Sequence, residues 1–471
     1  MNNKRILYIL VPAAGLLAAM ILFLGTMAAA SDPGSLMLGK LHDNPVTPAS
    51  YIVAAGETIY DIAKKHSVSP YHLIIENRLT GELPLIPGKK LLFPKEPDTK
   101  KNAGDSASRS LTISFVRDSL IAPAVVTLKA DTALQNKEID YVWDLGNNRF
   151  SFDPSPVVQY IRPGNYTVRL VIRSNSGEYT VSNNLEIKVS GVPTDYTGLP
   201  YVTAERAGDL VFLEHLFKNP DKSSVSFDSS TQIIQEPALV EFLDTNILVA
   251  RNTGFSRIKL MKNNTPYEFY LWVSPFPVRL SVEPEYDWYI TQFDTGMYGN
   301  CGPAGNASAI MWATGKRTTV EGVRGQIGLP NSNGAVGYGH LLGNLLENNI
   351  SAKETDFSSI QMMMNYIDEG KIIIVSFHCG KITMTKGREE TDYVGRYYPD
   401  STGHYLLIKG YTLDKKYFVV YDAIPGEWDG NTTRYADGVS MIGRNRFFLA
   451  DEVFNAMRIK TGIVVERKKD L

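Results

Sequence analysis

The chain has 471 residues, with 44% apolar and 21% charged residues, which is an ordinary globular composition; 25 Tyr and 38 Gly point to substantial β structure. At about 150 residues per domain, that length predicts about three domains. Its 48 Lys and Arg against 50 Asp and Glu leave a formal charge of −2, so no basic stripe argues for nucleic acid. Two cysteines, Cys301 and Cys379, are too few for a disulfide-built scaffold, although an exported chain leaves open a bond between them.

Lys4 and Arg5 precede an apolar run over residues 6–30 that carries no charge. About 20 residues cross a bilayer, whereas a signal-peptide core is about 7–15 long. The length predicts a retained signal anchor over 1–32, a single transmembrane helix with its basic end in the cytoplasm. The rest would then be extracellular and associated with the cell wall. Ala28-Ala29-Ala30 also reads as a cleavage site, and secretion after Ala30 is the alternative. Residues 33–48, rich in Gly, Pro and small polar residues, form a spacer.

In the next segment, 49–95, period-two residues precede Gly56, helical spacing follows it (Ile59, Ile62, Ala63), and a short strand follows Pro87-Gly88. That is a β-α-α-β unit. Tyr51, Gly56-Glu57-Thr58-Ile59, Ile62-Ala63, Asn77, Pro87-Gly88 and Leu91-Leu92-Phe93-Pro94 resemble a LysM module, with Glu57 and Ile59 as conservative departures from the family's Asp and Leu. The resemblance implies binding of N-acetylglucosamine-containing glycans, peptidoglycan in a bacterium. It places the groove between the 56–59 loop and segment 83–87, with Gly56, Glu57, Thr58, Ile59, Leu85 and Ile86 as glycan-binding residues. A degenerate module that only spaces the chain is the alternative.

Residues 96–109 are polar, aperiodic and read as a linker. Over 110–191, short alternating strands at 111–116, 125–130, 139–143, 166–173 and 185–189 predict a β-sandwich. Tyr141-Val142-Trp143-Asp144-Leu145-Gly146, Tyr160 and Pro163-Gly164-Asn165-Tyr166 resemble a PKD-type immunoglobulin-like domain. By that resemblance Trp143 is the core residue and Asp144 the turn former, and the role is spacing or adhesion. Over 192–278, strands at 224–227, 240–242, 247–250 and 256–261 predict a second all-β immunoglobulin-like sandwich, weakly similar to bacterial immunoglobulin-like repeats. Both read as a stalk, with protein binding as the alternative.

The remaining residues, 279–471, suffice for one enzyme domain. From Ala304, positions Ala307, Ile310 and Met311 bury one face of a helix that Pro303 opens and Gly315 stops. Cys301 therefore sits at a helix start, where unpaired N–H groups and the dipole favour thiolate. Gly302 leaves room for a substrate carbonyl beside the sulfur. Further on come helices over 341–348 and 360–369, a buried strand over 371–377, and a hairpin of strands 403–411 and 417–423. A three-residue loop, 412–414, would pair Tyr411 with Lys415 and set His404 directly opposite Asp422; a slip of two residues keeps them diagonal on one face. The carboxylate would orient the imidazole and stabilise imidazolium. His340 and His378 lack zinc spacing, so neither metal nor cofactor is expected. His378 reads as a cleft or strand-end residue and Cys379 as a core or near-site thiol, while Trp288 and Trp428 belong either to a substrate groove or to the core.

Gln292, Cys301-Gly302-Pro303-Ala304, Gly403-His404 and Tyr421-Asp422, in that order, resemble the bacteriocin-processing (double-glycine leader) cysteine peptidases, their stand-alone exported relatives most. The resemblance covers about residues 285–467 and implies an α+β, papain-like fold. It makes Cys301 the nucleophile, His404 the general base and then acid, Asp422 the orienting group, and Gln292 an oxyanion donor beside the Cys301 N–H. One departure stands out: Gln292 lies nine positions before Cys301, a longer gap than the family usually shows. Unless that loop folds back, Asn300 or another donor fills the hole. The expected protein is an exported, membrane-anchored, wall-binding cysteine peptidase or amidase acting on a peptide, a protein or a stem peptide through a thioester. Leader processing is not expected, because no transporter segment accompanies the head. The alternatives are a catalytically inactive adhesion or scaffold protein, and an acyltransferase that passes the thioester to an amine.

Overall fold

A computed structural model of the chain describes residues 50–467 apart from 55, 80–84, 86, 94–110, 118, 123, 133–139, 148, 161, 174–178, 192–193, 220, 222, 293–298, 330–335, 385–392, 400 and 425–440. The expected membrane segment, Ile86 and Trp428 lie outside the described residues. No helix among the described residues is long and apolar enough to cross a membrane.

The first module pairs Ser50–Ile52 antiparallel with Lys90–Leu92 around the helices Ile59–Lys65 and Pro70–Asn77. Thr58 caps the first helix in a reciprocal box with Asp61, which is the local reason the chain turns helical there. Asn77 ties the second helix to the closing strand: its carboxamide donates to the Leu92 carbonyl at 2.8 Å and accepts from the Leu92 N–H at 2.7 Å. Leu73, Ile74 and Leu91 share a continuous core with Val142, Phe150 and Val171 of the next module.

That module faces one sheet (Leu111–Arg117, Ala124–Thr132, Val157–Tyr160) with another (Leu185–Val189, Gly164–Arg173, Asp140–Asp144, Phe150–Ser151), and Tyr179–Val181 adds to Gly164–Arg173. Trp143 is fully buried in the core of the module. Asp144 Oδ1 accepts from the Gly146 N–H at 3.0 Å across a turn in which Gly146 takes φ +74°. A third module has a four-stranded sheet (Tyr201–Ala204, Thr265–Val273, Gly254–Lys262, Gln232–Ile234) and a three-stranded one (Leu210–Phe212, Ile247–Ala250, Val240–Asp244) over a single core. The strand expected at 224–227 is absent. Val225 and Phe227 are buried, but Ser224 makes only an isolated bridge to Lys218 and the Phe227 N–H goes to the Asn246 side chain at 2.6 Å, so the alternation there records burial more than sheet pairing.

The last module is built on a seven-stranded sheet ordered Ala352–Asp356, Met457–Val465, Ile372–His378, Gly403–Thr412, Tyr417–Asp422, Arg446–Leu449, with Val278–Leu280 also pairing Gly403–Thr412. Along Ile372–His378 the two faces alternate: Ile372 and Ile374 join the core under the helices Cys301–Thr314 and Tyr338–Glu347. Ile373, Val375 and Phe377 join the core under Ile360–Asp368 and Ala450–Ala456. Burial on both faces explains that strand's unbroken apolar run.

The hairpin differs from the expected register. Its turn is longer: the Lys415 N–H bonds the Thr412 carbonyl at 2.7 Å, Asp414 accepts from the Lys416 N–H, and Tyr411 faces Phe418 instead of Lys415. Continued unbroken, that register would set Asp422 opposite Leu407 and His404 on the far face. A bulge between Ile408 and Gly410 inserts Lys409 as one extra residue, so Asp422 faces Leu406 instead. His404 then lies two residues further on, diagonal to Asp422 and on its face.

Candidate active site

Cys301 is the first residue of its fourteen-residue helix and half-buried; Asn300 precedes it without a side-chain cap. The His404 ring and the Tyr405 and Gly302 N–H groups lie beside the sulfur and favour its thiolate. Gly302 serves packing more than substrate room: a Cβ there would stand 3.2 Å from the Tyr405 ring and 3.3 Å from Leu341. His404 Nε2 meets Asp422 Oδ1 at 2.8 Å, which leaves Nδ1 for the sulfur. Asp422 is fully buried, and its carboxylate also accepts from the Ile424 N–H at 3.1 Å and from the Tyr398 hydroxyl at 2.9 Å. Tyr398 is fully buried too, and neither it nor Ile424 stands out in the sequence as a partner of Asp422.

Electrostatics follow from these contacts. Burial would raise the Cys301 thiol, but the hydrogen bond and charge of His404, with the Tyr405 and Gly302 N–H groups, hold it below the ordinary thiol value. Burial would likewise lower His404, yet the Asp422 charge and hydrogen bond, joined by Cys301, hold it well above the ordinary imidazole value. Opposite shifts on two touching groups favour a thiolate–imidazolium pair.

Gln292 is 6% exposed and next to this group: its N–H bonds the Ala423 carbonyl at 2.9 Å. Its own carbonyl accepts from Asn300 Nδ2 at 3.1 Å. The Asn300 carboxamide is engaged there and with Arg324. Cys379 and Cys301 are not joined in a disulfide; Cys379 is buried and donates to the Thr402 carbonyl. His340 is exposed, and no three His, Cys, Asp or Glu among the described residues form a metal cluster. Trp288 belongs to the core, 4.4 Å from the Tyr421 ring.

In the first module, Thr58 and Ile59 are buried, as cap and core residue. The Glu57 carboxylate accepts from the Tyr51 hydroxyl at 2.7 Å and from the Ala54 N–H at 2.8 Å. Leu85 is half-buried. The Gly56 carbonyl accepts from Arg251 of the third module at 2.8 Å.

Three segments match family models: residues 51–94 the LysM domain, 116–189 the PKD domain, and 288–444 the Peptidase_C39 like family. The chain is therefore a multidomain protein carrying LysM, PKD and C39-like peptidase domains in that order. Among solved structures, it is similar to the PKD1 domain of Vibrio anguillarum Epp, 23% identical over 18% of this chain and 96% of that one, with a TM-score of 0.15. It is also similar to a Bacillus anthracis protein described as a C39-like peptidase, 14% identical over 38% of this chain and 94% of that one, with a TM-score of 0.24. No curated protein matches the chain.

Proposed function

We propose that the protein is an exported, wall-binding cysteine peptidase or amidase. The contact of His404 with Asp422 at 2.8 Å, with the Cys301 thiol beside the same ring, carries this reading. The Cys301 thiolate attacks the carbonyl carbon, and the oxyanion develops between the Cys301 N–H and the Gln292 carboxamide. The His404 imidazolium gives its proton to the leaving amine as the C–N bond breaks, leaving a thioester on Cys301. His404, now neutral, takes a proton from water, whose oxygen attacks the thioester. Collapse expels the thiolate, releases a carboxylic acid and restores imidazolium. Throughout, Asp422 keeps the ring oriented and balances its charge.

The LysM segment supports binding to peptidoglycan or another N-acetylglucosamine-containing glycan, and the run at 6–30 supports a membrane anchor with the head outside, or secretion after Ala30. Mass spectrometry of purified cell wall and of a peptide library, each treated with the full chain, tests the activity. New termini that vanish with Cys301→Ala are expected. Identical products from the two proteins would overturn the reading in favour of a wall-bound scaffold, and products carrying an added amine would reassign the head as an acyltransferase.

A further inference from the structure

Gln292 and Cys301, nine positions apart, are linked through the side chains of Asn300 and Arg324. Arg324, on the helix Val320–Gln326, is fully buried. Its Nε donates to Asn300 Oδ1, Nη2 to the Gly299 carbonyl at 3.1 Å, and Nη1 to the Leu329 carbonyl at 3.4 Å. A planar guanidinium fork fits only one arrangement of such acceptors, so it fixes the turn at Gly299 (φ +73°) that delivers Cys301 to its helix. Asn300 passes the constraint on. Its Nδ2 donates to the Gln292 carbonyl at 3.1 Å, while its own carbonyl accepts from the Ala304 N–H at 2.9 Å and starts the helix. Gln292 is thus pinned on one side by Asn300 and on the other by Ala423, the neighbour of Asp422. Its side-chain Oε1 is buried with no partner among the described residues. The main chain, more than side-chain contacts, therefore sets where the carboxamide lies.

We infer that Arg324 and Asn300 are positioning residues that hold the Gln292 amide in register with the Cys301 sulfur across the long gap. The inference rests on the reading of Cys301 as nucleophile and Gln292 as oxyanion donor. It separates two reactions of one sulfur: alkylation by iodoacetamide needs no oxyanion hole, whereas acylation by p-nitrophenyl acetate does.

Both rates are to be measured on the full chain and on Gln292→Ala, Asn300→Ala, Arg324→Met and the double variant Gln292→Ala/Arg324→Met. Acylation is expected to fall about 100–1,000-fold in Gln292→Ala. In Asn300→Ala and Arg324→Met it should fall about 10–100-fold, as for a misplaced donor, with alkylation changed less than about threefold. The double variant should acylate no more slowly than Gln292→Ala alone, because the two changes remove one function. If Gln292→Ala slows acylation while Asn300→Ala and Arg324→Met do not, or if the double variant multiplies the two losses, the positioning role is overturned and the proposed chemistry stands. If the unaltered chain is not acylated, or Gln292→Ala acylates normally, the reading of the site falls and the inference with it. Should Arg324→Met fail to fold, Asn300→Ala cuts the same relay without removing a buried charge and decides alone.

Discussion

Cys301, His404 and Asp422 work as a charge arrangement in which each group's state depends on its neighbour. With Cys301 lowered and His404 raised, thiolate and imidazolium coexist between the two folded values. Iodoacetamide should therefore label Cys301 below the ordinary thiol value of about 8.5, the rate falling only as pH drops through the lowered one. In His404→Ala the burial and the main-chain N–H groups remain while the imidazole's contacts go, so the midpoint should move up toward about 8.5. A stopped-flow pH profile of labelling checks both. The stability linked to the raised His404 is present in full below its unfolded value of about 6.5 and is lost as pH rises through the folded one; that linked to the depressed Cys301 is present above about 8.5 and is lost as pH falls through its folded value. Asp422→Asn keeps the shape and removes the charge; acylation at neutral pH should drop by about two to four orders of magnitude. Tyr398→Phe removes a buried hydrogen bond to that carboxylate, and urea unfolding should show a loss of about 1.5–3 kcal/mol.

Among the elements, the strand Gly403–Thr412 decides whether a site exists, and its bulge decides how. The extra residue, Lys409, is fully buried; its Nζ lies 2.9 Å from Glu283 and from Asn445 Oδ1, and 4.4 Å from the Tyr421 ring centre. Burial lowers Lys409 and raises Glu283, so each is buried as a charge only because the other is present. Gly410, beside it, lets Val278–Leu280 approach: a Cβ there would stand 2.7 Å from the Arg279 carbonyl oxygen. Lys409→Met leaves Glu283 alone in the core and should cost about 3–5 kcal/mol, and adding Glu283→Gln should recover part of it. Chemical denaturation of the two variants measures the difference, and labelling of Cys301 reports whether the parity of the hairpin survives.

Over the whole molecule, the modules are joined by polar contacts as well as by shared core. Arg251 of the third module donates from Nη1 and Nη2 to the two Asp61 carboxylate oxygens at 2.6 and 3.0 Å, while also holding the Gly56 carbonyl. Arg169 Nη1 donates to the Tyr71 hydroxyl at 3.0 Å, and the Tyr60 hydroxyl donates to Asp144. The loop that the LysM resemblance assigns to glycan is thus braced by a distant module. Arg251→Ala should raise amide exchange at residues 56–61 by about tenfold, the equivalent of 1.4 kcal/mol of local stability, with the PKD strands unchanged. Hydrogen exchange with mass spectrometry reads both segments.

Module order, the LysM β-α-α-β unit, the PKD turn at Asp144 and the helix that starts at Cys301 were legible in the sequence. Each rests on local chemistry: caps, turn glycines and apolar period act within a few residues. The pairing of His404 with Asp422 was legible only as a shared face, since a longer turn and a bulge, two departures that offset each other, set the actual register. Nothing local marks Tyr398 as a partner of Asp422, Arg324 as a partner of Asn300, or Met457–Val465 as an inner strand of the head sheet. Those assignments depend on which groups lose water together when distant segments meet. A buried donor must then find an acceptor wherever the fold provides one, and only the tertiary structure decides where that is.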